Sequence, residues 1–268
     1  MTVVVSCVNL KGGVGKTALA VNFAAYCGAN GHKTLLVDLD PQTNATFSCI
    51  SPEVWSSHRK KNGTVADLLG VRNAEHAEGN NKTTADVIIK DVFKGVDLVP
   101  SDLNLFTIDL DIGGRNAREK LLKKALKDVM NDYGVIVCDC PPNLTLPTQN
   151  ALAISTHYVV PVSPDFLSSL GIALLIRRVK KFADDMELEI QNAGIVLSRV
   201  GRQSTFRDQT TADLRKQFTS QMFVAEIKER SAVTEATAKN KPIYDMNDAQ
   251  AKQEFSAFSV ELLKKLGL

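Results

Sequence analysis

The apolar positions follow two rhythms along the chain. Thr2 to Asn9 is a β-branched apolar run and reads as a buried strand. A glycine-rich turn follows. Ala18 to Asn30 then reads as a helix, with Leu19, Val21, Phe23, Ala24 and Tyr26 supplying apolar contacts and Gly31 a stop. Lys33 to Leu39 is a second strand. Strand, turn, helix and strand make a βαβ unit, which implies a parallel sheet. Ser51 to Asn81 breaks the pattern. It is polar, holds Pro52, Gly63, Gly70, Gly79 and the basic run His58 to Lys61, and reads as variable surface structure with one short helix at Thr64 to Leu69. The alternation then resumes. Val96 to Val99 is a strand ended by Pro100, and Arg115 to Asn131 an amphipathic helix with Leu121, Leu122, Ala125, Leu126 and Val129 on one face. Strands are expected at Val135–Cys138, Tyr158–Val162, Ile195–Leu197 and Met222–Ile227. A long helix is expected over Phe166–Ala183, and an amphipathic one over Ala249–Leu266. With no repeat or linker in between, the pattern predicts one α/β domain over residues 1–268. Its core is a doubly wound, mostly parallel sheet flanked by helices.

Composition narrows this only slightly. The 268 residues are 44% hydrophobic, enough for a substantial core. The net charge is +2, so any nucleic-acid surface would have to be a local patch. The apolar run Thr2 to Leu10 is too short to span a membrane and glycines follow it, so no signal peptide is expected. The cysteines (Cys7, Cys27, Cys49, Cys138, Cys140) form no C-x-x-C pair, and their odd number suits reduced, buried thiols in a cytoplasmic protein. The scattered histidines make no metal-ligand pattern.

The chemistry is concentrated in Lys11-Gly12-Gly13-Val14-Gly15-Lys16-Thr17. A phosphate chain needs closely spaced backbone N–H donors, and glycine lets the backbone wrap that tightly. The helix starting near Lys16 aims its positive dipole end at the phosphates, and Ala18 adds a backbone donor. Lys16 would hold the β and γ phosphates of ATP, and Thr17 would place its hydroxyl on Mg²⁺. The loop departs from the general G-x-x-x-x-G-K-[ST] form: Leu10 stands where the first glycine belongs, and Lys11 adds a lysine at the entrance.

Two strands end in acids, as phosphoryl transfer to water requires. Leu35-Leu36-Val37-Asp38-Leu39-Asp40-Pro41-Gln42 brings Asp38 and Asp40 to the carboxyl edge of the sheet, where ligands bind. Val135-Ile136-Val137-Cys138-Asp139-Cys140-Pro141-Pro142 is a Walker B pattern, with Asp139 an outer group toward Mg²⁺.

The sequence K-G-G-x-G-K-T resembles the deviant Walker A motif of the ParA/MinD family of P-loop ATPases. The resemblance implies the P-loop NTPase fold and a nucleotide-sandwich homodimer in which Lys11 reaches the ATP of the other subunit. D-L-D-P-Q-x-N-A-T is similar to a ParA switch I. There Asp40 is expected to orient the attacking water and Asp38 to sit nearer the metal. Asp139-Cys140-Pro141-Pro142 matches the D-x-P-P of switch II. Thr43 stands where the family usually has glycine, and Ala18 where a second threonine is common. Val96 to Ser101, Pro161 to Pro164, Ile227 to Ala236 and Lys241 to Tyr244 resemble later family segments, so the likeness covers nearly the whole chain.

ParA-type members act on DNA and MinD-type members on membranes. The terminal helix Phe255 to Leu266 is amphipathic, but Lys264 and Lys265 are adjacent and Glu261 offsets them, which favours packing over membrane insertion. Arg199 to Lys241 carries nine cations against five anions, an excess greater than that of the whole chain. Arg199, Arg202, Arg207, Lys228, Arg230 and Lys241 are the candidate contacts to nonspecific DNA. No extra DNA-binding domain is expected ahead of the loop, so the chain resembles the short ParA (Soj-like) partition ATPases. The expectation is a cytoplasmic, nucleoid-associated ATPase whose hydrolysis a ParB-like partner stimulates. The alternatives are a MinD-like membrane-cycling ATPase and a P-loop metabolic or metal-transfer enzyme with ligand cysteines at a dimer interface.

Overall fold

The computed structural model describes residues 2–71, 82–165, 168–201 and 204–268. β1 (Val3–Cys7) runs through a glycine turn into α1 (Lys16–Ala29), and β2 (Thr34–Asp38) follows. Then come α2 (Asn44–Cys49), α3 (Pro52–Asn62), α4 (Val65–Leu68) and α5 (Thr84–Val87). β3 (Ile89–Phe93) and β4 (Val96–Val99) form a hairpin. α6 (Ile108–Asp111), α7 (Leu121–Leu126), β5 (Val135–Asp139), α8 (Leu146–Leu152) and β6 (His157–Val162) make the middle of the chain. α9 (Ser168–Asp185), β7 (Gln191–Val200), α10 (Thr205–Phe218), β8 (Met222–Lys228), α11 (Ser231–Ala238) and α12 (Ala249–Leu266) complete it.

The strands form one sheet in the order β3-β4-β2-β5-β1-β6-β7-β8, parallel at every pairing except β3 with β4. Alternate strand residues enter opposite layers. Val4, Leu35, Ile136 and Val160 join side chains of α4, α7, α8, α9 and α10. Val5, Leu36, Val137 and Val159 join those of α1, α2, α11 and α12. Burial on both faces is why the strands read as continuous apolar runs. β5 lies between β1 and β2, with Cys7 and Asp38 both in register with Asp139. The ends of the three central strands are therefore level, and the residues that follow them meet at one edge.

Three expectations are corrected. The polar stretch from Ser51 holds a helix that hydrophobic periodicity missed. Ser51 caps α3 by accepting the Val54 N–H, Pro52 and Glu53 occupy its first turn, Arg59, Lys60 and Lys61 its last, and Gly63 ends it. The surface reading fails further along, because Val65, Ala66, Leu69 and Val71 are buried in the core. Residues 72–81 of that stretch lie outside the described residues. Second, Arg115–Asn131 is not one helix but 3-10 turns flanking the short α7. The cause is Asn150 of α8. Its amide donates to the Arg118 carbonyl at 2.9 Å and its oxygen accepts from the Leu122 N–H at 3.0 Å. Those two groups would be each other's partners in a regular α-helix, so the side chain is inserted into the ladder. Third, elements form where the sequence pattern predicts none: α2, α5, β3, α6, α8, α10 and α11, all of them short or lacking a long apolar periodicity. The long helix expected from Phe166 is described from Ser168 to Asp185; its first residues lie outside the described set.

The terminal helix spans Ala249–Leu266 as expected, and it packs inward. Phe255, Phe258, Leu262 and Leu266 are buried against α1 and β8. It also closes the sheet. The outward N–H groups of Val224 and Ala225 on edge strand β8 donate to Glu261, and that of Lys228 donates to Glu254. Such capping blocks pairing with another strand. No helix among the described residues is long and apolar enough to cross a membrane.

Candidate functional site

The loop after β1 is fixed at both ends. Asn9 donates to the Pro161 carbonyl at the end of β6 and accepts from the Lys11 N–H, at 2.6 and 2.9 Å. Gly15 sits at the N-terminus of α1 with φ of 85°, a left-handed conformation costly to residues with a Cβ, and no side chain caps the helix there. The first-turn N–H groups of α1 therefore face the loop with the positive end of the helix dipole. Lys16 is buried, and its ammonium donates to the Lys11 carbonyl at 2.9 Å. Val14 is buried, Gly12 and Gly13 are exposed, and Thr17 and Ala18 are half-buried. Lys11 is exposed and paired in its own chain with Asp165 at 2.7 Å.

Asp38 is fully buried at the end of β2. One oxygen accepts from the Thr46 N–H and hydroxyl at 2.8 and 2.7 Å, and the other from the Asp40 N–H at 3.1 Å. Burial outweighs these donors, and with the like charge of Asp40 it pushes the carboxyl up to about 7. Asp139 is also fully buried, and neither of its oxygens has a hydrogen-bond partner among the described residues. Burial and then the adjacent Asp38 carry its pKa well above the ordinary range; the nearby Thr17 hydroxyl, which makes no regular hydrogen bond to it, and Lys16 oppose the shift. A buried carboxylate without donors is costly unless a cation meets it. Hard oxygen ligands from Thr17, Asp38 and Asp139 are the donor chemistry Mg²⁺ takes, so the residues present fit that ion.

Asp40 is buried beside them. Its carboxylate accepts the Gln42 N–H at 2.9 Å, and its carbonyl accepts from the Ser101 hydroxyl at 2.7 Å. Thr43 takes a left-handed φ of 57°, which explains why glycine is common there; a β-branched residue bears strain of about 1–2 kcal/mol at that point. Asp40, Pro41, Gln42, Phe106, Pro142 and Thr145 line a cavity of about 200 Å³ between the segments after β2 and β5.

Thr46 and Ser101 were not singled out by the sequence. Thr46 lies inside the switch I motif, and its hydroxyl links Asp38 to the Ser101 N–H at 2.9 Å. α3 braces that contact: Trp55 donates to the Ser101 carbonyl and Arg59 pairs with Asp102. The signal was present in V-P-S and in the tryptophan, but not the pairing.

The basic candidates separate. Arg199 pairs with Glu229 at 2.5 Å and donates to the Gly13 carbonyl at 2.8 Å. Arg230 pairs with Glu254. Arg207, at the start of α10, lies near Gly201, and Lys228 and Lys241 are exposed. Arg202 lies outside the described residues. Cys138 and Cys140 are both buried, and burial pushes their thiols up, that of Cys138 to about 12. Among the described residues no group of three or more histidine, cysteine or acidic side chains could hold a metal.

The AAA domain family model AAA_31 matches residues 2–192. The chain is 30% identical to the sporulation initiation inhibitor protein Soj of Bacillus subtilis, over 90% of this chain and 89% of Soj. The chain belongs to the ParA/MinD family of P-loop ATPases. It is also 28% identical to the chromosome partitioning protein ParA of Caulobacter vibrioides, over 92% of this chain and 88% of that protein. Cobyrinic acid a,c-diamide synthase of Mycobacterium smegmatis, solved with an ATP analogue and magnesium, superposes with a TM-score of 0.80 at 23% identity, covering 98% of this chain and 95% of the other. That likeness shows the fold, and the family carries the doubly wound reading with it.

Proposed function

We propose that this ParA/MinD-family chain is a ParA-like ATPase that closes into a homodimer on ATP and holds DNA without reading its sequence. A ParB-like partner then stimulates hydrolysis and release, so that a plasmid, a chromosome or another cargo is partitioned or positioned. The observation that carries the reading is the partnerless buried carboxylate of Asp139, level with Asp38 and beside a glycine loop that opens an uncapped helix.

In this reading the loop N–H groups from Gly12 to Ala18 cradle the phosphates, and Lys16 exchanges the Lys11 carbonyl for the β and γ oxygens. Thr17, Asp38 and Asp139 would hold Mg²⁺, which when bound would supply positive charge at the phosphate site. Asp40, fixed by Ser101 and Gln42, orients the attacking water. Lys11 leaves Asp165 for the nucleotide of the partner subunit. The inward packing of α12 supports the DNA-acting reading over a membrane-cycling one.

The test is ATP hydrolysis together with DNA binding in ATP, ADP and no nucleotide across a salt series. ATP-dependent DNA binding that weakens steeply with salt is expected, with hydrolysis abolished in Lys16→Ala. Normal hydrolysis by Lys16→Ala would overturn the site assignment. ATP-dependent binding to anionic liposomes without DNA binding would replace the DNA reading with the membrane one.

A further inference from the structure

Arg199 stands apart from the other basic candidates because it touches the phosphate loop. It lies in β7 with φ of 51°, a left-handed conformation that arginine adopts only against strain. The β7–β8 register shifts at the same place, between Leu197 and Val200. The guanidinium donates to the Gly13 carbonyl at 2.8 Å and pairs with Glu229 at 2.5 Å. Its stem runs beside Gly15, where an added Cβ would lie 3.6 Å from the Arg199 Cγ. The Glu229 N–H in turn donates to the Val200 carbonyl at 3.0 Å.

A trans peptide is planar, so its oxygen and its N–H point in opposite directions. Holding the Gly13 oxygen therefore sets the direction of the Val14 N–H, a donor of the phosphate cradle. The other end of the clamp is Glu229, between Lys228 and Arg230 at the end of β8. The two ends of one side chain thus join the nucleotide loop to the basic surface.

We propose that Arg199 is a positioning residue that couples the nucleotide state of the phosphate loop to the basic segment after β8, and is not itself a DNA contact. This rests on the ATPase reading above. The measurements are binding of a fluorescent ATP analogue with Mg²⁺, steady-state KM and kcat, and DNA affinity against salt. They are made on the full-length wild type and on Arg199→Ala, Glu229→Ala and Arg199→Lys, each checked for an unchanged urea midpoint. Both alanine variants should weaken nucleotide binding about three- to tenfold, as loss of a half-exposed charged hydrogen bond would. They should raise KM more than they lower kcat, and both should narrow the gap between ATP- and ADP-state DNA affinity. Arg199→Lys should restore part of the nucleotide affinity.

Glu229→Ala decides the matter, because it removes a negative charge. If Arg199 bound DNA directly, Glu229→Ala would tighten DNA binding in every nucleotide state and leave nucleotide affinity unchanged. Arg199→Ala would then lower the salt slope by about 1. That pattern overturns the inference, as does unaltered nucleotide binding in both alanine variants. A wild type that fails to bind ATP overturns the ATPase reading itself.

Discussion

Replacing Asp38 by asparagine should flatten a pH dependence that the nucleotide-free chain carries. Asp38 ionises near 7 in the folded chain against an ordinary value of 3.8, because burial outweighs the donors from Thr46 and Asp40. Over this range the folded chain keeps a proton that the unfolded chain has lost. Stability therefore falls as pH rises from about 4 to about 7, by up to 1.4 kcal/mol for each pH unit. Between about pH 5.5 and pH 7 the unfolded carboxyl is fully ionised, while the folded one only reaches its midpoint. The loss assignable to Asp38 is about 1.5 kcal/mol. Asp139 is raised partly by the Asp38 charge, so its own upward shift is smaller in the asparagine variant and any change there adds to the flattening. Asparagine also bears a fixed cost, since its amide nitrogen would confront a donor where the carboxylate accepted one. Comparing slopes removes that cost. Urea unfolding with EDTA at the two pH values, with equal m-values, measures both slopes. Parallel slopes would refute the reasoning; the sign of the wild-type slope alone does not, because His58 and His157, depressed by burial, add stability over this interval in both proteins. Mg²⁺ with ATP should stabilise the wild type more at the higher pH, where both acids are closer to their ionised form.

Asn150→Leu should cost about 2–5 kcal/mol by urea unfolding, because the Arg118 carbonyl and the Leu122 N–H each lose a buried partner. A loss below about 1 kcal/mol would mean that the segment closes into a regular helix once the amide is gone. Asp165→Asn should release Lys11 from its cis pair. Since a half-exposed pair is worth at most about 1 kcal/mol and a homodimer would release two, ATP-dependent dimerisation should move to about two- to thirtyfold lower protein concentration in analytical ultracentrifugation. An unchanged midpoint would show that the pair does not hold Lys11 back.

What could be read from the sequence was what a local pattern encodes. The strands β1, β2, β4, β5 and β6, the helix α1 and the whole of α12 announce themselves by unbroken apolar rhythm. The phosphate loop and the acids after β2 and β5 do so by residue type at fixed spacing. α3 was missed for a different reason: its signals are caps and end charges, and it has no fully buried residue to give it periodicity. The break at α7 was beyond local reading, because its cause is Asn150, in register only after α8 folds back. Thr43 shows the reverse case. Its departure from glycine was visible, and the left-handed backbone then supplied the reason glycine is usual.

Charge is where sequence and geometry part most clearly. The excess counted between Arg199 and Lys241 treats every cation as available, yet Arg199, Arg215 and Arg230 are each held by a glutamate at 2.5–2.6 Å. Glu254, which holds Arg230, lies outside the counted window, so no local sum could have found it. The carboxylates of Glu254 and Glu261 also cap the N–H groups of β8, so acids that serve sheet closure subtract from the basic surface. Of the counted cations, Lys216, Lys228 and Lys241 are exposed, and exposed Lys239 lies 4.0 Å from Glu235. A surface that sparse would bind DNA weakly in one protomer. Bringing two copies together would double it, and tethering two sites raises affinity far beyond either alone. The proposed nucleotide-closed dimer would therefore bind DNA more tightly than a single protomer.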